Sequence, residues 1–340
     1  MSELFLQNKL KIQILSNKSE IMTYLQLGIN IPILPDFYKY ILFDLDYFQA
    51  KSILLKQKGN VVGHCLIFND NNILYFGFFQ ILNHNKEKIS FLINEIKKYA
   101  KIHNYKSIRG PINIPTIIFG SGFMEKGSME DLFITKPVNP SIYLELFKKN
   151  GFYEKSKKIT WMGSPIPIIN PWKIKKYDFS DYEYFNPKDI FDFMNYKSDF
   201  LKILAENLPP SSQITPNVGG LIDNYAEFTF KFGFNFMVFF VKYIPTGKIV
   251  ACGSYLVNPF RKNYKGNFDS CIIYTWAVDS EHRRKGLAML MYGATSLHLR
   301  KNKFKYISGQ IDFENIANTE VAKKLTGIKS RTHIILECDI

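Results

Sequence analysis

The sequence predicts a mixed α/β chain built from two similar halves, and three observations carry that reading. Its 340 residues match two domains of about 100–200 residues each. Residues 105–113 and 304–312 share the pattern [YF]-K-x-I-x-G-x-I-[ND], a displacement of 199 positions. Around both copies, turn residues and apolar spacings recur in the same order.

The elements follow in order. Ile53-Leu54-Leu55-Lys56, a turn at Lys58-Gly59-Asn60 and the run from Val61 to Phe68 read as a hairpin. Its counterpart is Phe236 to Lys242, a turn at Pro245-Thr246-Gly247, then Ile249 to Val257. The 199 displacement lays the apolar run 73–79 over 272–278 and the helical stretch 88–103 over 287–302. Downstream, Asn139 precedes Gly151 by twelve residues and Asn315 precedes Gly327 by twelve, each marking a helix that ends in glycine. Each half thus reads as helices, a three-stranded meander, a helix, a strand, a helix and a final strand, a mostly antiparallel sheet flanked by helices. The Pro-rich stretch from Ser164 to Pro171 is the expected join, giving domains 1–164 and 165–340. The first half carries an extra stretch at 114–138.

With 46% hydrophobic and 22% charged residues the chain can bury a core. A formal net charge of +14 favours an anionic partner, whether nucleic acid, membrane surface or phosphorylated ligand, although abundant Lys, Ile, Asn, Phe and Tyr also fit an AT-rich coding sequence. No apolar run approaches the roughly 20 residues of a spanning helix, and Met1-Ser2-Glu3-Leu4-Phe5 lacks the start of an export signal. Cys65, Cys252, Cys271 and Cys338 form no C-x-x-C pair, and no histidines have metal spacing. Buried thiols in a reducing cytoplasm, without a metal, are expected.

The halves differ between the central strand and its helix. The second has Val278-Asp279-Ser280-Glu281-His282-Arg283-Arg284-Lys285-Gly286-Leu287-Ala288; the first has His84, Asn85, Glu87 and Ile89 where the second has Arg283, Arg284, Gly286 and Ala288. A glycine at a helix start lets a phosphate reach free N–H groups and the positive end of the helix dipole, and basic neighbours add charge-assisted contacts. The predicted helix behind it has apolar positions at Leu287, Leu290, Met291, Ala294 and Leu297.

With this loop between a strand and a helix, the second half resembles the GNAT superfamily of acyl-CoA N-acyltransferases, and the topology of both halves resembles a tandem form over most of the chain. The resemblance implies that the [QR]-x-x-G-x-[GA] loop holds the coenzyme A pyrophosphate. By motif position that covers Arg283, Gly286 and Ala288, with Arg284, Lys285 and Leu287 between them. Asn315 or Asn318 matches an asparagine on the pantetheine arm. The N–H of Val278, or of its neighbour Ala277, would hold the oxyanion. An amine of pKa about 10.4 must lose a proton before attack. Glu314 is the candidate base, with Asp269 and Asp312 nearby in sequence. The family's thiolate-protonating tyrosine is missing from Val321-Ala322-Lys323-Lys324; Tyr274 or Tyr292 could substitute by chemical type.

The implied activity is transfer of an acyl group, most commonly acetyl, from acyl-CoA to a primary amine on a small molecule or protein. The first half would be a degenerate copy without the pyrophosphate loop. Two alternatives share the fold: an aminoacyl-tRNA-dependent transferase, favoured by the positive charge, and a non-catalytic acyl-CoA-binding module. Two surface features stay open: Lys148, Lys149, Lys155, Lys157 and Lys158 form either a solvated face or a docking patch. Asp178, Asp181, Glu183, Asp189, Asp192 and Asp199, ahead of the loop 207–217, either receive a cationic acceptor or are simply exposed.

Overall fold

A computed structural model describes residues 10–28, 30–129, 132–163, 177–208, 214–313, 319, 323 and 328–340. In chain order the elements are β1 (Lys11–Leu15), α1 (Lys18–Leu25), α2 (Tyr38–Tyr47), β2 (Lys51–Gln57), β3 (Asn60–Asp70), β4 (Ile73–Ile81), α3 (Lys86–Ile102), β5 (Ser107–Gly110), β6 (Phe123–Gly127), α4 (Ser141–Lys149) and β7 (Tyr153–Gly163). They continue with β8 (Tyr182–Phe185), α5 (Ile190–Asn207), α6 (Ile222–Phe232), β9 (Val238–Tyr243), β10 (Lys248–Val257), β11 (Ser270–Val278), α7 (Leu287–Lys301), β12 (Tyr306–Asp312) and β13 (Ile328–Asp339).

Two units form, and their boundaries depart from the sequence division at 164/165. Unit 1 comprises Met1–Lys158, Ile214–Asn217 and Arg331–Ile340; unit 2 comprises Ile159–Gln213 and Val218–Ser330. The last strand, counted with the second half in the sequence, therefore belongs to unit 1. Backbone pairing explains this: β5 has β4 on one edge, and β13 satisfies the other through pairs running from Leu336↔Gly110 to Asp339↔Ser107. The end of β7, Ile159–Gly163, falls in unit 2, where β12 is its neighbour. The Pro-rich join itself lies outside the described residues.

In unit 1 the strands run β1-β2-β3-β4-β5-β13, with β6, from the extra stretch, also on β13. The first four are an antiparallel meander and β4–β5 is parallel. Lys58 (φ 51°) and Gly59 (φ 82°) make the left-handed turn the hairpin needs. α3 buries Ile89, Leu92, Ile93, Ile96 and Ala100 at helical spacing. With Tyr143 and Phe147 of α4 they cover one sheet face, where Phe76 and Phe147 stack at 4.8 Å. Each such buried aromatic contributes about 1.5–3 kcal/mol. α4 is the expected glycine-terminated helix, with Gly151 at φ 87°. Its expected counterpart after Asn315 lies outside the described residues.

In unit 2 the order runs from the end of β7 through β12-β11-β10-β9-β8; β11–β12 is parallel, and β10–β11, β9–β10 and β8–β9 are antiparallel. The period of two along β9 divides the core. Phe239 and Val241 join Leu287, Met291, Tyr292 and Leu299 of α7, while Val238 and Phe240 join Phe193, Phe200 and Ile203 of α5 and Ala226 of α6. All four cysteines are buried free thiols.

The repeat is present as β4-α3-β5 and β11-α7-β12, with one correction. Ser107 pairs with Ile73, whereas its counterpart Tyr306 pairs with Ser270. The displacement is 199 on one strand and 197 on the other, so 73–79 overlies a window two residues before 272–278. A shift of two keeps every side chain on its face, which is why the apolar pattern did not reveal it.

Candidate functional site

The site in unit 2 begins with two parallel strands that part. β11 and β12 pair from Ser270↔Tyr306 to Ile273↔Gly309, yet β11 continues to Val278 and β12 to Asp312. A bulge sits where the pairing stops. On β10 Ser254 faces Thr275 and Tyr255 faces Ile273, leaving half-buried Tyr274 as the extra residue. Gly253 permits the close approach, since a Cβ there would lie 2.5 Å from the Trp276 ring. Beyond the bulge the hydrogen-bond direction is fixed by Asp279, whose N–H donates to Val250 O at 2.8 Å. By antiparallel alternation, Val278 turns its N–H and C=O away from β10, toward the parted side. On that side its carbonyl accepts from Arg283 Nε at 3.2 Å.

The loop after β11 is a short 3₁₀ turn, Ser280–His282, followed by Arg283 in extended conformation. Asp279 organises it. Its carboxylate accepts from Glu281 N and pairs with Lys248 Nζ at 2.8 Å, and that hydrogen bond holds its pKa below the ordinary aspartate range. His282 is buried against Tyr182 (Nδ1···Oη 3.0 Å), and burial, then Lys285, lowers its pKa.

Arg284 (φ 64°) and Gly286 (φ 83°) then reverse the chain into α7, which has no side-chain cap. Gly286 is required twice: its φ is left-handed, and a Cβ would lie 2.5 Å from the Tyr177 ring. The N–H groups of Arg284, Lys285, Gly286, Leu287 and Ala288 have no acceptor among the described residues. They sit at the positive end of a 15-residue helix. Arg284 and Lys285 are exposed, with no ion-pair partner among the described residues, while Leu287 is buried in the core. Arg283 does something else with its side chain: the guanidinium bridges Val278 O and the end of α5, at Asn207 O and Oδ1 (3.3 and 3.2 Å).

The same places in unit 1 are filled by the chain itself. Asn85 caps α3, its side chain accepting from Lys88 N. The β4–β5 ladder ends at Tyr75↔Arg109; past it, Phe78 N donates to Asn113 Oδ1 at 2.7 Å, and Gly77 abuts Ile112 O.

The structure thus brings Val278, Arg283, Arg284, Lys285, Gly286, Leu287 and Ala288 together with Tyr274 on one strand–loop–helix. Tyr292 is buried under α7, 6.1 Å from Trp276 between ring centres, and burial raises its pKa. Asp269 is engaged by Arg261, while Asp312 ends β12 half-buried. Glu314, Asn315 and Asn318 lie outside the described residues, as do Val321, Ala322 and Lys324.

Several surface charges are spent locally. Lys148, Lys149, Lys155 and Lys157 pair with Glu154, Glu145, Glu337 and Glu125. Glu183 pairs with Lys242, and Asp189 caps α5 through the N–H of Asp192. Sequence reasoning missed Tyr177, the contact of Asn207 with Arg283 and the pairing of Lys248 with Asp279, because Tyr177, Asn207 and Lys248 reach the loop from distant elements.

No family model and no curated protein matches the chain. Solved structures do. A tandem GNAT protein from the clavulanic acid biosynthesis pathway superposes with a TM-score of 0.59 at 11% identity, over 97% of this chain and 98% of that one. A GCN5-related N-acetyltransferase from Sphaerobacter thermophilus gives 0.57 at 8% identity, over 96% and 95%. A GNAT-family acetyltransferase from Colwellia psychrerythraea gives 0.52 at 13%, over 97% and 100%. The chain has the tandem GNAT fold.

Proposed function

We propose that this protein is an acyl-CoA-dependent N-acyltransferase, most simply an N-acetyltransferase, that binds its donor in unit 2. One observation carries the reading: the uncapped N-terminus of α7, lying beside parted strands, is open in unit 2 where its counterpart in unit 1 is capped by Asn85. The fold supplies the expectation, and the local chemistry makes it specific.

The N–H groups of residues 284–288, with the Arg284 and Lys285 side chains, take the pyrophosphate. Arg283 acts as a positioning residue, tying the strand end to α5. The pantetheine arm enters between β11 and β12, with Asn315 or Asn318 as its partner. The thioester carbonyl meets the Val278 N–H, which strengthens its bond as the oxygen becomes negative in the tetrahedral intermediate. A neutral primary amine, on a small molecule or a protein, forms the new C–N bond, and Glu314 takes its proton directly or through water. Collapse breaks the C–S bond, and Tyr274 gives a proton to the departing thiolate. The products are an amide and free coenzyme A. No metal is needed for this sequence of steps, and the four buried thiols suit a cytoplasmic setting.

Thermal unfolding with and without acetyl-CoA tests the donor, on wild type and on Lys285→Glu and Gly286→Glu. Ligand at 100 times its Kd adds about 2.7 kcal/mol to a folded binder. A wild-type shift that both variants lose supports the reading. No shift in folded wild type removes acetyl-CoA and directs the search to longer acyl-CoAs and then charged tRNA; binding without turnover on a broad amine panel would leave a binding module.

A further inference from the structure

We propose that the end of unit 2 opposite the donor loop is a docking surface for single-stranded nucleic acid, with Tyr264 as a stacking platform and nearby lysines as phosphate contacts. The surface shares no residue with the donor loop and does not depend on the acyl-CoA reading. β11 runs from Ser270 at this end to Val278 at the loop, about 26 Å at the usual rise per residue.

An elaboration found in the second half alone builds this surface. Residues 258–269 separate β10 from β11, whereas Asn71 and Asn72 are all that separate their counterparts β3 and β4. The longer connection is an ordered extension of the hairpin, bridged between Lys262 and Phe268. At its tip Asn263 N donates to Asn267 O at 2.8 Å and Gly266 N to Asn263 O at 2.9 Å, while Asn263 Oδ1 accepts from Lys265 N and Asn267 N. At its base Arg261 Nε donates to Asp269 at 3.2 Å, and the guanidinium lies 3.8 Å from the centre of the Tyr306 ring. A backbone tied this closely holds Tyr264 out from the surface, 89% exposed.

Lys262 and Lys265 flank this tyrosine in sequence, and the Lys265 ammonium lies 5.5 Å from its ring centre. The turn after α7 runs beside the hairpin base, since Lys305 N donates to Asp269 O at 2.7 Å, and it brings Lys301, Lys303 and Lys305 to the same end. All five lysines are exposed, and none forms an ion pair among the described residues. The Asp269 carboxylate beside them is buried and engaged by Arg261. In unit 1, by contrast, Lys148, Lys149, Lys155 and Lys157 each have a glutamate. A second exposed ring, Phe234, sits edge-on to Phe304 of the same turn, 6.0 Å between centres.

Five ammonium groups at one end of a domain repel one another, and a polyanion relieves that repulsion while releasing its own counterions. The exposed rings choose among polyanions. A nucleic acid base stacks on an aromatic face whatever its identity, and cations beside the ring take the phosphates on either side. An acidic protein segment has no comparable use for two exposed rings among lysines. A membrane would need the tip to enter the headgroup boundary, yet Asn263, Lys265 and Asn267 offer no aliphatic anchor there and would be desolvated at a cost.

The test is fluorescence anisotropy of a labelled 12-nucleotide oligouridylate titrated with the full chain at several salt concentrations, beside a duplex of the same length and anionic vesicles of phosphatidylcholine and phosphatidylglycerol. Saturable binding of the single strand, weakening as salt rises, is expected. Tyr264→Ala should lower the affinity about tenfold and Tyr264→Phe should restore it, because the ring and not the hydroxyl does the stacking. Lys262→Gln with Lys265→Gln should make the log–log salt slope shallower by about 1.4, two phosphate contacts on a single strand. Lys285→Glu, at the donor loop, should bind the oligonucleotide as wild type does. All these positions are exposed, so the variants fold. A wild type that ignores the strand overturns the proposal, as does Tyr264→Ala binding unchanged, which would leave only diffuse charge attraction. Loss of binding in Lys285→Glu would move the strand to the donor loop, duplex bound as tightly would remove the stacking, and vesicles bound in place of the strand would make the surface a membrane contact; each of these also overturns it.

Discussion

Gly286 carries two constraints that substitution can separate. An L residue at φ 83° costs roughly 1–2 kcal/mol in backbone strain, and the added Cβ meets the Tyr177 ring. Gly286→Ala should therefore lower stability in urea by more than the backbone share, and Tyr177→Ala in the same chain should recover the steric part alone. A double-mutant cycle with no coupling would remove Tyr177 from the loop's support. Arg283→Lys keeps the charge but cannot span Val278 and Asn207 together, so acyl-CoA affinity should fall about tenfold with net charge unchanged. Equal affinity by calorimetry would end the positioning role.

Glu337 in unit 1 gives the pH counterpart. Burial alone would raise its pKa, but the bonds from Arg109 (3.0 Å) and Lys155 (2.8 Å) outweigh it and hold the carboxylate below the ordinary range. A depressed folded pKa adds stability above the unfolded value of about 4.3 and loses it as pH falls through the folded value. Glu337→Gln, which leaves Arg109 buried without its anion, should cost about 3–5 kcal/mol at neutral pH. The difference from wild type should narrow below about pH 4 in acid-unfolding curves.

At the scale of elements, the two repeat helices invite a comparison of their first turns. α3 is capped by Asn85 and α7 begins on an uncapped glycine. Asn85→Ala should cost about 1 kcal/mol, the usual worth of a cap, without creating a donor site, because Asn113 still occupies the Phe78 N–H. Acyl-CoA binding gained by that single change would show that capping alone separates the halves. The final strand matters more. Ending the chain after Ser330 leaves β5 paired with β4 alone and removes Ile334, Leu336 and Cys338 from the unit 1 core. Unit 1 should then lose its slow-exchanging amides in β4 and β5; retained protection would mean that the meander is self-sufficient.

For the molecule as a whole, two copies of one topology with one open helix end predict one acyl-CoA bound per chain by calorimetry, and two would contradict the self-filled reading of unit 1. The net charge of +14 proved a blunt guide, since four of the five lysines singled out as a cluster form ion pairs. What the sequence determined by itself was local: the hairpin turns, the apolar spacing of α3, the glycine at φ 83° and the open loop before α7 all follow from residues within a few positions of one another. The repeat was legible for the same reason. Tertiary structure decided whatever depends on residues far apart in the chain: that β13 completes unit 1, that β11 sits two residues out of the simple repeat, that Arg283 reaches Asn207, and that Asn113 fills the wedge in unit 1. Strand partners, and side chains that close over a backbone amide, are chosen by unsatisfied hydrogen bonds and by the fit of the assembled core, and neither quantity exists until distant segments meet.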